Sequence, residues 1–253
     1  MFILMSLNGE KKYHMIFWII ATLCAFYVKG LCGFANTLVF TSILSFGNAN
    51  INISPVELIL GYPTNLIISW KERKSIDLKI CIPLAAMVLV GSVAGVFFLK
   101  NADVSVVKII FGALIIVIGI EMLLREISPG KAKQSRILLT IIGVLSGFLC
   151  GLYGVGALLG AYIGRVTDSS KAFRANICLV FVIENTFRIA LYSLYGIITM
   201  ESLKTAALLA PFMLAGLGAG MLSVRVIDDK IIKKIVIVLL VVSGIALILT
   251  NMA

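Results

Sequence analysis

A few ionisable side chains lie inside apolar stretches of this chain, and these are the residues whose types could do chemistry. Lys29 directly follows the apolar run of residues 15–28. A charge inside a membrane segment is costly, so such residues usually line a pathway or pair with a partner. Lys29 is therefore a candidate for binding an anion. The alternative is a lysine that extends from a helix end to the membrane surface.

A second group of polar residues falls within the apolar stretch of residues 172–195. Glu184 and Arg188 are spaced i, i+4, so on a helix they would lie side by side and could neutralise each other. Glu184, with Arg188, could instead serve coupling by carrying a proton, and both interpretations stay open. Asn185, and Asn65 in an earlier apolar stretch, could hydrogen-bond a substrate or simply join two helices.

Two glycine-rich segments, residues 29–38 and 150–159, share the pattern Gly-Leu-x-Gly. A helix that breaks at glycines exposes backbone amides at the start of its second arm, where the positive helix end also attracts an anion. Two such breaks at matching positions of two halves are a good indication of a transport site. The candidate substrate-binding residues in the breaks are Gly33, Asn36, Thr37, Tyr153, Gly154 and Gly156.

Small residues also allow two helices to pack closely, and this is the alternative interpretation of every glycine here. For the two breaks we favour anion binding, because polar residues adjoin them. Close packing is favoured for the glycines that recur later in each half, which are Gly91, Gly95, Gly216 and Gly220.

The composition indicates an integral membrane protein. Of 253 residues, 60% are hydrophobic and only 13% are charged, whereas soluble domains are about half apolar and a quarter charged. The net charge of +10 falls mostly in short loops, which favours cytoplasmic loops facing anionic lipid over a nucleic-acid partner. The sequence shows no pattern of a catalytic triad, metal cluster or phosphate-binding loop. We therefore expect neither an enzyme nor a bound cofactor.

Hydropathy predicts helices separated by short polar loops. In the first half we predict an arm over 15–28, a break over 29–33, a second arm over 34–46, and helices over 54–70, 78–99 and 106–124. In the second half we predict arms over 137–150 and 157–164 around a break at 151–156, and helices over 172–195, 203–224 and 231–249. Ser54 and Pro55 are typical of a helix start, and Glu57 fits the third residue of a capping box, so we assign Glu57 only that role.

The two halves repeat one plan. The domains we expect are a tail (1–14), a first membrane repeat (15–125), a basic cytoplasmic connector (126–136) and a second repeat (137–253). If the broken segments are re-entrant, most loop lysines and arginines share one side of the membrane; if they cross, the charges divide almost evenly. The positive-inside rule favours the first case. The fold class is then an all-α integral membrane protein with two homologous halves, each a glycine-broken, re-entrant helix pair plus three transmembrane helices, related as inverted repeats. Parallel repeats are the alternative.

These residues resemble those of the sulfite exporter TauE/SafE family, also called the toluene-sulfonate uptake permeases. The similarity covers about residues 15–250. Residues 151–157 (Gly-Leu-Tyr-Gly-Val-Gly-Ala) are similar to the glycine-rich signature of that family, whereas the first copy departs from it at Ala35 and Asn36. The resemblance implies transport of small, mainly sulfur-containing anions such as sulfite, sulfonates and sulfoacetate-like acids.

The function we expect is a secondary transporter of small anions, with the substrate bound at the membrane midplane between the two broken helices. The partners expected are the anion, a coupling proton or cation, and membrane lipid, with a homo-oligomer left open. The expected location is the cell (inner or plasma) membrane, in several passes. The alternatives are a passive anion channel, which would lack saturable flux, and a non-transporting membrane subunit, which would lack activity when purified alone.

Cysteine labelling tests the inverted arrangement. We expect cysteines introduced into residues 47–52 and 165–170 to react with a membrane-impermeant maleimide from opposite sides of the membrane. Labelling of both segments from the same side would contradict the inverted repeat.

Overall fold

The computed structural model describes residues 9–44, 50–101, 136–153, 156–167 and 169–252, with a few separate residues between 109 and 123. Regular structure in these ranges is helical throughout. The helices are α1 (Gly9–Cys32), α2 (Asn36–Leu44), α3 (Asn50–Lys71), α4 (Leu78–Asn101), α5 (Arg136–Tyr153), α6 (Ala157–Val166), α7 (Ser170–Leu194), α8 (Met200–Ser223) and α9 (Asp229–Met252). One 3-10 turn, Arg73–Ser75, joins α3 to α4.

The helical membrane class is confirmed. Within the described part, four helices are long and apolar enough to cross a bilayer: α1 from Met15 to Cys32, α4, α7 and α8. The re-entrant form of the broken segments and the inverted relation of the halves stay predictions. The predicted helix over 106–124 and nearly all of the predicted connector lie outside the described residues, although Arg136 is the first residue of α5.

Both predicted breaks are present. α1 ends at Cys32, Gly33 and Ala35 have positive φ angles of 82° and 70°, and α2 begins at Asn36. α2 has nine residues and α6 has ten, so each is about 14 to 15 Å long, against a hydrocarbon core of about 30 Å. Neither short helix can cross the membrane alone.

The predicted start of each break was wrong. α1 continues through Lys29 to Cys32, because Leu31 and Cys32 pack in the core and the chain leaves helical geometry only at Gly33. Lys29 therefore lies in the last turn of a full-length helix, not in the break. In the second half, α5 likewise continues to Tyr153.

The predicted start of α3 was also wrong. The helix begins at Asn50, one turn earlier than expected, so Pro55 lies inside it. Ser54 is fully buried, and its hydroxyl is 2.9 Å from the Tyr192 hydroxyl instead of capping the helix. Glu57 is not a capping residue, since it lies in the interior and is 2% exposed. Pro63 lies inside α3 as predicted.

The segment between the helices predicted over 157–164 and 172–195 is shorter in the structure, because α6 extends to Val166 and α7 begins at Ser170. Ser169 caps α7 by accepting a hydrogen bond of 3.2 Å from the amide of Ala172. The ends of α4, α8 and α9 lie within about three residues of those predicted.

Two helix pairs form the most extensive contacts, and each pair combines a broken segment from one half with a helix from the other. α1 packs along α8, and α5 packs along α4. α3 packs against α7, which occupies the same place in the second half. The broken segments are therefore held by the opposite half of the chain.

Glycines make these two contacts possible. A Cβ atom on Gly30 would lie 2.6 Å from the carbonyl oxygen of Leu217 and 2.9 Å from Cα of Gly220. The equivalent Gly151 would place a Cβ atom 2.5 Å from the carbonyl oxygen of Ser92 and 3.0 Å from Cα of Gly95. The packing interpretation is confirmed for the later glycines, because Gly91, Gly216 and Gly220 also lie against the backbone of the opposite helix.

Two alanine substitutions on α8 test this packing. A Cβ atom at position 220 would overlap the backbone of α1, whereas at position 218 it would meet nothing within 4 Å. We expect Gly220→Ala to destabilise the protein by about 1–3 kcal/mol. Gly218→Ala, the matched control, should be neutral or stabilising by up to about 1 kcal/mol, because helical glycine is unfavourable. The measurement is the thermal unfolding midpoint in detergent; equal midpoints for the two variants would contradict the contact.

Candidate functional site

A cavity lies where the two breaks face each other in the interior. Its volume is about 330 Å³, which includes space open to solvent. Residues of α1, α2, α3 and α7 line it together with Gly156 before α6; they are Lys29, Phe34, Ala35, Asn36, Thr37, Leu38, Glu57, Asn65, Gly156, Phe181, Asn185 and Arg188. The site therefore draws on both halves of the chain.

Lys29 begins a chain of buried hydrogen bonds across one side of the cavity. Its Nζ atom donates to Oδ1 of Asn36 at 3.0 Å, and Nδ2 of Asn36 donates to Oε1 of Glu57. All three side chains are buried, with Lys29 1% exposed. A lysine ammonium can only donate, so the amide oxygen of Asn36 must face Lys29 and its amide nitrogen must face the carboxylate. Lys29 therefore does not extend to the membrane surface.

The carboxylate of Glu57 is only partly satisfied. The Thr37 side chain approaches it, but among the described residues no donor reaches Oε2 with hydrogen-bond geometry. The same holds for Oδ1 of Asn65, two turns further along α3. Buried polar atoms are nearly always paired. These two acceptors in the cavity wall are thus places where a ligand, a proton or water would be stabilised.

Phe181 of α7 connects the two breaks. Nζ of Lys29 lies 5.7 Å from the centre of the Phe181 ring, within the range of a cation–π contact. A Cβ atom on Gly156 would collide with the same ring, so a glycine is needed at the start of α6. Phe34 of the first break also reaches α6, where it lies against Gly160.

Arg188 supplies the second cation of the cavity. It pairs with Glu184 at 3.3 Å, donates to the carbonyl oxygen of Cys150 at 2.6 Å and donates to Oδ1 of Asn185 at 3.0 Å. Cys150 occupies the place in the second segment that Lys29 occupies in the first. The second break therefore has a buried positive charge as well, supplied by α7 rather than by its own segment.

Glu184 lies behind Arg188 and outside the cavity lining. Its Oε1 accepts a hydrogen bond of 3.2 Å from Ser92 of α4, and it is fully buried. The ion pair predicted from its spacing with Arg188 is therefore present. Because Glu184 pairs with Arg188 but does not line the cavity, it helps to hold the guanidinium in position and partly offsets its charge.

Both short helices present their amino-terminal ends at the cavity. Ala35 accepts the first backbone bond of α2, from Val39 at 3.1 Å, and Gly156 accepts that of α6, from Gly160 at 2.9 Å. The amides between these residues have no partner within their own helix. Residues 35–38 and Gly156 line the cavity, and α6 lacks a side-chain cap in the described structure. The two positive helix ends favour an anion at the site. Each of the two buried cations is linked to a buried carboxylate, Lys29 to Glu57 through Asn36 and Arg188 to Glu184 directly.

Of the predicted binding residues, the structure brings together Lys29, Asn36, Thr37, Asn65, Gly156 and Asn185, with Arg188 beside them. Gly33 is close but faces away, since its carbonyl oxygen accepts from the Cys178 thiol and its Cα lies against Arg174. Gly154 lies outside the described residues, as does the side chain of Tyr153.

Sequence reasoning missed five residues of the lining, namely Phe34, Ala35, Leu38, Glu57 and Phe181. A carboxylate within an apolar helix could have indicated that Glu57 belongs to a site. The Ser-Pro-x-Glu pattern was interpreted as a helix cap instead. Nothing in the sequence indicated that Phe181 lines the site. Among the described residues, no group of three or more histidine, cysteine or acidic side chains could hold a metal ion.

Comparison with known proteins assigns the chain to a family. Searches of curated proteins and of solved structures return no match. A family model described as sulfite exporter TauE/SafE matches residues 18–247, nearly the whole chain and all of the residues that line the cavity. The resemblance found in the glycine-rich segments is therefore confirmed, and the membrane helices agree with a family of transporters. The protein belongs to the sulfite exporter TauE/SafE family of membrane transporters.

Proposed function

We propose that this protein is a secondary transporter of small anions, such as sulfite, sulfonates or related organic acids, and that the anion binds in the cavity between the two broken helices. The observation that carries the proposal is the pair of buried cations, Lys29 and Arg188, in one cavity wall. Buried charges without a functional role are rare inside membrane proteins. The family supports sulfur anions as the substrate class.

The donors around the cavity suit an oxyanion. Lys29 can donate up to three hydrogen bonds, and the amino-terminal ends of α2 and α6, at residues 35–38 and Gly156, adjoin the same cavity. Asn65 and Asn185, on corresponding helices of the two halves, add side-chain amides to the lining. An anion with three or four oxygens can accept from all of these groups at once, which a carboxylate does less completely.

Binding of the anion would rearrange the hydrogen bonds of Lys29. In the empty site the ammonium donates to Asn36, which itself donates to Glu57. An anion at the start of α2 would take over a Lys29 hydrogen bond. The cost of burying the anion is offset by Lys29, Arg188 and the two helix ends, since each is already desolvated and held in place.

Each broken segment packs against a helix of the opposite half, which supports movement around the site of two bodies that each combine elements of both halves. Glycine contacts hold α1 to α8 and α5 to α4, so each broken segment would move with its partner helix. Rocking of two such bodies about a midplane site gives alternating access.

Because the sequence has no nucleotide-binding motif, a gradient of the substrate, or of a coupling proton or cation, would supply the energy for transport. We place the protein in the cell membrane as a multi-pass protein.

Replacing Lys29 tests the site. We expect Lys29→Ala to weaken anion binding about 10- to 100-fold, because one charge-assisted hydrogen bond is lost. Lys204→Ala, which removes an exposed lysine on α8, is the matched control and should bind as the unmodified protein does. The measurement is uptake of sulfite, ethanesulfonate, sulfoacetate and acetate into proteoliposomes, with size-exclusion profiles to verify folding.

Two results would contradict the proposal. One is a folded Lys29→Ala protein that transports at the rate of the Lys204→Ala control. The other is the absence of uptake of every anion in the panel by the purified, unmodified protein.

A further inference from the structure

We infer that Glu57 is the residue that carries the coupled proton, taking it up on Oε2 when the anion binds and releasing it when the anion leaves. This inference rests on the proposed function and names the coupling group of the same site. Sequence analysis left that role open for Glu184, so there are two buried carboxylates between which an experiment can decide.

Glu57 is placed to respond to an anion directly. It is 2% exposed and lines the cavity, and no described donor reaches its Oε2 atom. Gly61, one turn further along α3, leaves room for it, because a Cβ atom there would lie 3.1 Å from Oε1 of Glu57 and 3.4 Å from Nδ2 of Asn36. The free oxygen therefore belongs to a carboxylate whose other oxygen is held in position.

Asn36 links the charge of Glu57 to that of Lys29. Its amide is bonded to both side chains, and its orientation is fixed because lysine can only donate. While Glu57 is ionised, it offsets the ammonium of Lys29 and repels an arriving anion. Once Oε2 is protonated, the charge of Lys29 is free to act on the anion, and the new O–H group becomes a donor toward the cavity.

The charges around Glu57 favour the uptake of one proton with each singly charged anion that binds. The charged and titratable groups that act on it are Lys29 from α1, Arg188 and Glu184 from α7, and the Cys150 thiol from α5. Two buried cations and two buried carboxylates balance each other. An anion disturbs this balance by one negative charge, and one proton on Glu57 restores it, which matters because an unbalanced buried charge is costly.

Glu184 is less suited to the role, although its Oε2 also lacks a described donor. Its other oxygen accepts from Ser92 and pairs with Arg188, and it does not line the cavity. A proton on Glu184 would leave Arg188 without its partner and would not touch the anion.

A metal cation in place of the proton fits the cavity poorly. Hard cations take about six or more oxygen ligands. Among the fully buried side-chain atoms of the described lining, two acceptors are unpaired, Oε2 of Glu57 and Oδ1 of Asn65, and Lys29 and Arg188 would repel a cation there. The proton transfer has two steps. Hydronium from the side open to the cavity gives a proton to Oε2 of Glu57 and becomes water. The carboxyl group returns that proton to water on the side where the anion is released.

Binding of ethanesulfonate to the purified protein across about pH 5 to 9 tests the inference, because the charge of a sulfonate is constant over that range. We expect binding by the unmodified protein to weaken with rising pH, approaching tenfold per unit where one proton is taken up. Glu57→Gln should lose this dependence. Glu184→Gln should keep the dependence even where its affinity changes. Glu72→Gln, which alters a glutamate paired with Arg174 away from the cavity, is the matched control and should behave as the unmodified protein.

An infrared difference spectrum on adding ethanesulfonate supplies a second readout. It should show a carboxyl group gaining a proton in the unmodified protein and in Glu57→Asp, but not in Glu57→Gln. Loss of that signal in Glu184→Gln instead, or binding by the unmodified protein without any pH dependence, would overturn the role of Glu57 while leaving the anion site intact. Absence of binding at every pH would instead contradict the proposed function itself.

Discussion

The interior of this protein depends on the burial of four charged side chains among apolar helices. Lys29, Glu57, Glu184 and Arg188 are each 2% exposed or less. Ions so far from water are tolerated only with partners and hydrogen bonds in good geometry. The local structure supplies these: the first break places Asn36 between Lys29 and Glu57, and the last turn of α5 offers the Cys150 carbonyl to Arg188.

The glycine contacts and the charges show different degrees of symmetry. Gly30 with Gly220, and Gly151 with Gly95, form equivalent close contacts in the two halves. The cations do not correspond, because Lys29 belongs to its own broken segment whereas Arg188 reaches the second segment from α7. Position 150 is therefore not a basic residue, although the positive charge of Arg188 lies beside it. The repeated frame therefore places one buried cation beside each break, and the two cations come from different elements.

Hydropathy and glycine spacing predicted the membrane class, both breaks and most of the polar residues around the cavity, because these depend on local composition. The end of α1 could not be predicted, since Gly30 continues the helix where it packs on α8 and only Gly33 ends it. The role of Glu57 depends on contacts between α3 and α2 that a local pattern does not contain. A Ser-Pro-x-Glu sequence is also typical of a helix cap. Because α3 begins one turn before this sequence, Glu57 is not a capping residue.

The central claim is that an anion binds beside Lys29 at the start of α2. A cryo-electron microscopy structure of the purified protein with bound ethanesulfonate tests it most directly. The account predicts density for the sulfonate in the cavity, within hydrogen-bonding distance of Nζ of Lys29 and of the first amides of α2, with the Lys29–Asn36 bond displaced. A sulfonate bound elsewhere, with Lys29 still bonded to Asn36 and the cavity empty, would contradict it.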